Sequence, residues 1–504
     1  MAPEPTIVAV DQLELDMTAV ETRSDSSSDY DPLLPPEHRQ WVPPRANPLP
    51  KLQLAVVYFI KLVIPISGTQ SMPYMNVFVA DLAKSAGAQT GYYSGLVGSA
   101  SSIAHILTIY LWGRLSDRHG RKPVVIIGTT LTGIFTILFG LSKSFPAVLL
   151  TVFLRSFFSG TTGAIHSIVG ELVDSTNAAT AFPLYDIVSA VGFAAGPLIG
   201  GTFSDPATQI GGPWFDTPFW RTYPYLLPCL ITAAIAAVAL FLAFFVLEET
   251  LPAKRGPRKG AIRIQPDEER VLSPVRAPPI DALAQAKPLS VWSLLSTPVM
   301  RMVCASSGAL AYVAGSWTSV FVLQAYSPVE DGGLALSPSQ IGRALGVMGT
   351  LSIFLKLGMP FFLRRFGTLT VFRWSMRSWA ATFAAMALLP IVARAVHGAE
   401  GVAAEWAAVS VVLFLSRIGC MSFSIIMILT RDHTPGTASL GTANGLAEFA
   451  QSFAGVFAPA IVSSLFAWSA SHHILGGQFW VVVMILVALL SGYFAEQLRK
   501  HRDD

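Results

Sequence analysis

Apolar residues run along this chain in stretches of about 20, the length that crosses the hydrocarbon core of a bilayer as a helix. Twelve such stretches are centred near Ile64, Ala104, Thr132, Gly160, Ala190, Ala236, Ala311, Thr350, Ala384, Leu415, Gly455 and Val487. Six precede and six follow one long polar segment, residues 252–290, which holds AKRGPRKG, DEER and several prolines. Such a segment buries too little apolar surface to fold and reads as a flexible linker. The pattern predicts an all-α membrane protein, with twelve transmembrane helices in two six-helix bundles at residues 51–251 and 291–497. Residues 1–50 are acidic, serine-rich and lack the apolar core of a signal peptide, so they read as a disordered tail, with a second short tail at 498–504.

Lysine and arginine set the orientation. Arg114, Arg118, Arg121 and Lys122, the basic residues of the linker, and then Arg364, Arg365, Arg499 and Lys500 fall on one side, which the positive-inside rule makes cytosolic together with both termini. Of 504 residues, 52% are hydrophobic and 13% charged, against roughly a quarter charged in a soluble protein. A net charge of +3 is too small to suggest nucleic acid as a partner. Cys229, Cys304 and Cys420 all lie in apolar runs, so neither a disulfide framework nor metal-ligand spacing is visible, and no cofactor is expected.

Between the second and third apolar stretches stands Gly113-Arg-Leu-Ser-Asp117-Arg118-His-Gly120-Arg121-Lys122-Pro123. Charge that dense cannot enter hydrocarbon, so the block predicts a tight turn between two membrane helices. It resembles, at Gly113, Asp117, Arg118, Gly120, Arg121 and Lys122, the signature loop of the major facilitator superfamily. The resemblance implies that Asp117 docks against the start of helix 11 near Ser439, latching the halves on the cytosolic side. The fifth stretch holds Gly192, Gly196, Pro197, Gly200 and Gly201, where small residues at four-residue spacing let helices approach closely. In this position they resemble the helix 5 motif of proton-coupled antiporters. Lys61-Leu-Val-Ile-Pro65, Pro73-Tyr74, Gly170-Glu171-Leu-Val-Asp174, Leu247-Glu248-Glu249-Thr250 and Asn444-Gly445-Leu446 are similar to the zinc-induced-facilitator-like branch of the twelve-helix drug:proton antiporters. Departures are Lys61 where an arginine is common, Ile64 where a glutamate is common, and the spacing of Arg155.

Charges within apolar stretches cost about 2.5–3.5 kcal/mol each on insertion scales, so each needs a partner or a function. The candidates are Lys61, His105, Arg155, Asp186, Arg417 and Glu448, with His166 and Lys356 near enough to one end to snorkel. Arg155 precedes Asp186 by the interval at which Arg417 precedes Glu448, which suggests one arginine–acid pair in each half. A carboxylate in low dielectric is harder to ionise, and a nearby guanidinium favours the ionised form, so protonation can follow the neighbour a conformation provides. Asp186 or Glu448 is therefore expected to carry a coupling proton while Arg155 and Arg417 modulate it or hold an anionic substrate group. The alternative is a fixed salt bridge in each half. Glu171 and Asp174 are expected either as interdomain ion pairs or as solvated helix ends. Tyr74, Tyr185, Trp317 and Phe423 are candidate cavity aromatics.

In the tail, Asp29, Tyr30, Leu33 and Leu34 resemble acidic-dileucine and tyrosine sorting signals read by adaptor complexes, against the alternative of a solvated tail. The expected function is a monomeric secondary transporter, a proton-coupled antiporter for a small organic molecule, drug or metal chelate at the vacuolar or plasma membrane. The alternatives are a sugar or nutrient facilitator or symporter and a non-transporting receptor. An enzyme is not expected, since no catalytic triad, metal cluster or phosphate cradle is visible.

Overall fold

The computed structural model describes residues 49–84, 89–173, 178–251, 291–395, 399–434 and 440–503. The predicted linker, and all but the last two residues of the predicted tail, lie outside the described residues. The first bundle comprises α1 (Lys51–Ala83), α2 (Thr90–His119), α3 (Arg121–Gly140), α4 (Phe145–Leu172), α5 (Ala178–Phe203) and α6 (Leu226–Phe245). The second comprises α7 (Pro298–Tyr326), α8 (Pro338–Phe366), α9 (Thr368–Ala395), α10 (Ala399–His433), α11 (Leu440–Ser471) and α12 (Phe479–Asp503). This is the expected twelve-helix, two-bundle fold, with α12 running on to Asp503 rather than ending at 497. Eleven of these helices contain a stretch long and apolar enough to cross a membrane. The exception, α7, is more polar because it faces protein rather than lipid: Ser306, Ser307 and Ser316 are buried along it, beside Leu310, Trp317 and Phe321. Ser307 donates to the Ala447 carbonyl at 3.3 Å and accepts from Gln451 Nε2 at 2.7 Å, so α7 and α11 are tied by polar contacts.

Two helices of the first bundle are broken. The α1 axis breaks at Gln70–Ser71 and the α4 axis at Gly160–Thr161. The core of this bundle is likewise in two pieces: one around Val57, Ile60, Ile165 and Ala239 towards the Gly113–Pro123 turn, the other around Tyr74, Phe78, Phe139 and Tyr225 towards the far end. Between them lies a polar layer in which Ser67 meets Thr136 at 3.0 Å and Ser101 meets Ser156 at 2.7 Å. Buried hydroxyls are tolerated there because they are paired.

The two bundles touch through small residues. A Cβ added at Gly201 of α5 would lie 2.8 Å from the Gly342 Cα of α8 and 2.7 Å from the Pro338 carbonyl oxygen. One added at Gly349 would lie 2.5 Å from the Ala194 Cα. On the other side of the molecule, a Cβ at Gly95 of α2 would sit 3.0 Å from the Ala460 Cα of α11, and Ser99 Oγ donates to the Val456 carbonyl at 2.7 Å. Each contact lies in the half of its helix remote from the Gly113–Pro123 turn, so the far end of the molecule is closed by backbone-to-backbone packing.

Overpacking such a contact costs about 1–3 kcal/mol, and about 1.4 kcal/mol is a tenfold change in a population. Gly201→Val is therefore expected to open the far end. In a Cys420→Ser background carrying Ser319→Cys, labelling by a membrane-impermeant maleimide should rise about tenfold. Unchanged labelling of a folded variant would refute the assignment of this contact as the closure.

Candidate functional site

At the charged turn, α2 ends at His119 and α3 begins at Arg121, leaving Gly120 alone to reverse the chain at φ 104°. A side chain there would be strained, and would also strike the carboxylate of Glu249. That carboxylate accepts from the backbone N–H of Arg121 at 2.9 Å and of Lys122 at 3.2 Å, capping the otherwise unsatisfied start of α3 with negative charge. Arg121 bridges Asp117 at 2.7 Å and Glu171 of α4 at 3.1 Å, and Thr250 Oγ1 donates to the other Glu171 oxygen at 2.6 Å. Lys122 Nζ reaches the Phe244 carbonyl at 2.8 Å, near the end of α6. The turn thus fastens α2, α3, α4 and the segment after α6 into one unit. Glu171 is a partner within the first bundle rather than an interdomain ion pair, while Asp174 lies outside the described residues. The capping role of Glu249 escaped the sequence reading; its only signal was an acid pair just past the sixth apolar stretch. Arg118 is exposed and Gly113 half-buried. Asp117 is 65% exposed, and its expected docking partner near Ser439 lies outside the described residues.

The helix 5 motif presents two faces. Gly192, Gly196 and Gly200 lie against α1, where a Cβ at Gly192 would meet the Leu62 carbonyl at 3.0 Å and one at Gly196 the Ile66 carbonyl at 3.0 Å. A Cβ at Gly200 would collide with the Gln70 carbonyl, at the α1 break. Gly201 and the Pro197 carbonyl face α8 instead, so one motif seats a helix inside its own bundle and against the other.

The proposed arginine–acid pairs do not form. Among the described residues neither Asp186 nor Glu448 is within ion-pair distance of an arginine. Depth explains this for Arg155. It stands ten residues from the far end of α4, whereas Asp186 stands eight residues from the opposite end of α5. At about 1.5 Å per residue the two are separated by roughly 13 Å along the axis. Arg417 lies with its guanidinium 5.1 Å from the centre of the Trp317 ring and bonds Ser416 Oγ at 3.3 Å. The side chain level with Asp186 is Lys61, ten residues into α1. Lys61 is buried, and its ammonium sits 4.7 Å from the centre of the Tyr185 ring. Asp186 directly follows Tyr185 in α5 and Glu448 stands at the same depth in α11, so an acid of each bundle lies near the level of Lys61. Asp186 and Glu448, each eight residues into its helix from the turn end, are exposed, as are His105 and His166. His166 packs edge-on against Tyr185 at 5.5 Å.

Nearer the closed end, a cavity of about 360 Å³ lies between α1, α2 and α4 of one bundle and α7 and α11 of the other. Arg155 lines it, with Ser71, Asn76 and Ser319. Of the aromatics expected there, Tyr74 is instead fully buried, donating to Gln70 Oε1 at 2.7 Å and stacked on Tyr225, and Trp317 belongs to the core of the second bundle. Phe423 packs against that same core. Ser71 and Asn76 were missed because Pro73, which marks the α1 break, does not by itself show which side chains face the cavity.

Residues 57–459 match the family model described as Major Facilitator Superfamily. The chain is 35% identical over 476 residues to major facilitator-type transporter psiT2 of Psilocybe cyanescens, covering 88% of this chain and 89% of that one. It is 27% identical to efflux pump azaK of Aspergillus niger, covering 93% and 95%, and 26% identical to protein ZINC INDUCED FACILITATOR 1 of Arabidopsis thaliana, covering 83% and 85%. Among solved structures, a bacterial homolog to the human lysosomal transporter Spinster has the same fold at a TM-score of 0.63 and 13% identity, covering 90% of this chain and 98% of that one.

The turn network separates two kinds of acid. Asp117→Asn removes an exposed i,i+4 pair and should change stability by less than about 0.5 kcal/mol. Glu171→Ala leaves the buried Thr250 hydroxyl without its acceptor and takes one of two carboxylates from the half-buried Arg121, and should cost about 1–3 kcal/mol. Melting of the purified variants checks the ranking, and equal losses would contradict it.

Proposed function

We propose that this chain, which belongs to the Major Facilitator Superfamily, is a proton-coupled antiporter that moves a small organic molecule, drug or metal chelate out of the cytosol, across the plasma membrane or into a vacuole. The chain is a multi-pass membrane transporter and not an enzyme. One observation carries the antiport reading: buried Lys61 lies over the ring of Tyr185, the residue before Asp186, near the depth at which Asp186 of one bundle and Glu448 of the other are both exposed. A carboxylate whose cationic neighbour and water access change as the halves rock exchanges its proton once per cycle. Similarity to an efflux pump supports export as the direction.

In this reading the turn end is cytosolic and the closed far end faces the opposite side. Substrate enters from the cytosol, the turn end closes as Asp117 docks at the start of α11, and the far end parts where Gly201 meets Gly342 and Gly95 meets Ala460. Both halves and the cavity belong to one chain, so a monomer suffices. Asp117→Asn, which leaves the bundle intact, then depresses turnover.

In proteoliposomes with an imposed pH gradient, Asp186→Asn or Glu448→Gln is expected to abolish gradient-driven flux while exchange at equal pH continues. If gradient-driven flux survives both substitutions, neither acid carries the proton. Flux of the wild type that ignores the gradient would favour the facilitator reading.

For localisation, the motif at Asp29, Tyr30, Leu33 and Leu34 supports sorting to the vacuole. A fluorescent fusion carrying Leu33→Ala and Leu34→Ala should move from the vacuolar to the plasma membrane. An unmoved fusion would remove the sorting role.

A further inference from the structure

We infer that the cavity at Arg155 is an anion site, and that the transported molecule carries a carboxylate or phosphate group seated on its guanidinium. The inference rests on the transporter reading above and narrows its substrate class.

Arg155 is 5% exposed, and among the described residues no carboxylate forms an ion pair with it. The titratable groups that act on it are Tyr74 and Cys229, a phenol and a thiol. Its guanidinium lies 5.1 Å from the centre of the Phe139 ring, which fixes its plane and offers partial cation–π compensation. Nη2 reaches Ser71 Oγ only at 3.5 Å, the limit of a hydrogen bond, and Nη1 is buried with no partner. A buried cation without a counter-charge is strongly destabilising, so in a working protein it is matched by something that arrives.

The rest of the lining agrees. Asn76 uses Oδ1 to accept from Ser94 Oγ at 2.7 Å, which leaves its Nδ2 pointing out, and that amide nitrogen is also buried without a partner. The two orphaned polar atoms of the lining are thus both donors. No aspartate or glutamate lines the cavity, and its volume suits a small organic molecule. A site with spare N–H groups, a fixed fork-shaped cation and no acceptor surplus is matched to an oxyanion, which arginine binds through two parallel hydrogen bonds. Met72, Met75 and Val322 supply apolar wall for the remainder of the molecule. Lys61 does not compete for this role, since it does not line the cavity and stands nearer the turn end, over the Tyr185 ring.

The full chain, purified in detergent and free of phosphate and carboxylate buffers, is tested by thermal melting with four probes of one size: benzoate, phenyl phosphate, benzyl alcohol and benzylamine. A ligand that binds only the folded state raises the melting temperature in proportion to its occupancy. Benzoate, phenyl phosphate or both should raise it, and benzyl alcohol and benzylamine should not; comparing the first two tells a carboxylate site from a phosphate site. Arg155→Met should erase the anion shift while the ligand-free protein melts at or above the wild-type temperature, because no native ion pair is broken. Arg155→Lys keeps the charge without the fork and should weaken the response at least about tenfold. Equal shifts from all four probes, no shift from either anion, or an Arg155→Met protein that melts far below wild type or fails to fold would overturn the inference. Flux in proteoliposomes separates this from the antiport reading. Anion binding with flux that ignores the pH gradient would sink antiport alone, and gradient-driven flux with charge-blind binding would sink the anion site alone.

Discussion

Hydrocarbon gives a charge no water to bond, and that constraint governs where the described helices carry their charged groups. At the turn end the solution is dense mutual pairing: Arg121 between Asp117 and Glu171, and Glu249 on the bare amides that open α3. The result is a first bundle whose helices are fixed to one another at that end by charge as well as by the apolar core around Val57 and Ile165. A bundle fastened in this way moves as a body. That is the mechanical condition for two halves to change their mutual angle while keeping their own packing.

Between the halves the constraint takes a different form. Lipid tails are as apolar as leucine, so helices associate in a membrane through close packing and polar contact rather than through a hydrophobic driving force. The approach of Gly201 to Gly342 and of Gly95 to Ala460 brings backbones together where any larger side chain would hold them apart. Among the described residues these contacts carry no ion pair. Parting them costs backbone packing, the seating of Leu198 against Gly346 and the hydrogen bond from Ser99 to the Val456 carbonyl, but separates no charges, unlike the network at the turn.

Much of this was readable in the sequence because it depends on local composition. Twelve apolar stretches, the glycine of the turn and the small face of α5 all followed from residue type and spacing. What failed was the inference across helices. Arg155 and Asp186 are as far apart in sequence as Arg417 and Glu448, which looked like a repeated pair, but α4 and α5 run in opposite directions and equal spacing does not place residues at equal depth. The cation at the level of Asp186 is Lys61, which lies over the neighbouring Tyr185 ring, and not an arginine. Tyr74 and Trp317 were read as cavity residues because aromatic character does not reveal which side of a helix faces the seam, and both are core. The break at Gln70–Ser71 is marked in the sequence by Pro73, which has no N–H to offer the Thr69 carbonyl, but that signal does not tell which side of the helix Ser71 and Asn76 will present.

The separation of Arg155 from Asp186 bears on how coupling would work. If proton and substrate shared one site, each would displace the other by direct competition for the same cation. Here the unpartnered guanidinium and the exposed carboxylates are separated by roughly two turns of helix along the axis. The substrate group and the proton cannot then meet at one atom, and either can influence the other only by favouring one arrangement of the two halves. Such coupling is reciprocal in free energy, and its size is limited by how differently each ligand binds the two arrangements. Arg155 lies on α4, facing α7 and α11 across the cavity, so an anion bound there draws on both bundles near the closed contacts. Protonation at Asp186 or Glu448 acts instead on the end where the bundles carry their exposed charge. In the proposed cycle, binding one would favour release of the other if the two ligands prefer opposite arrangements of the halves.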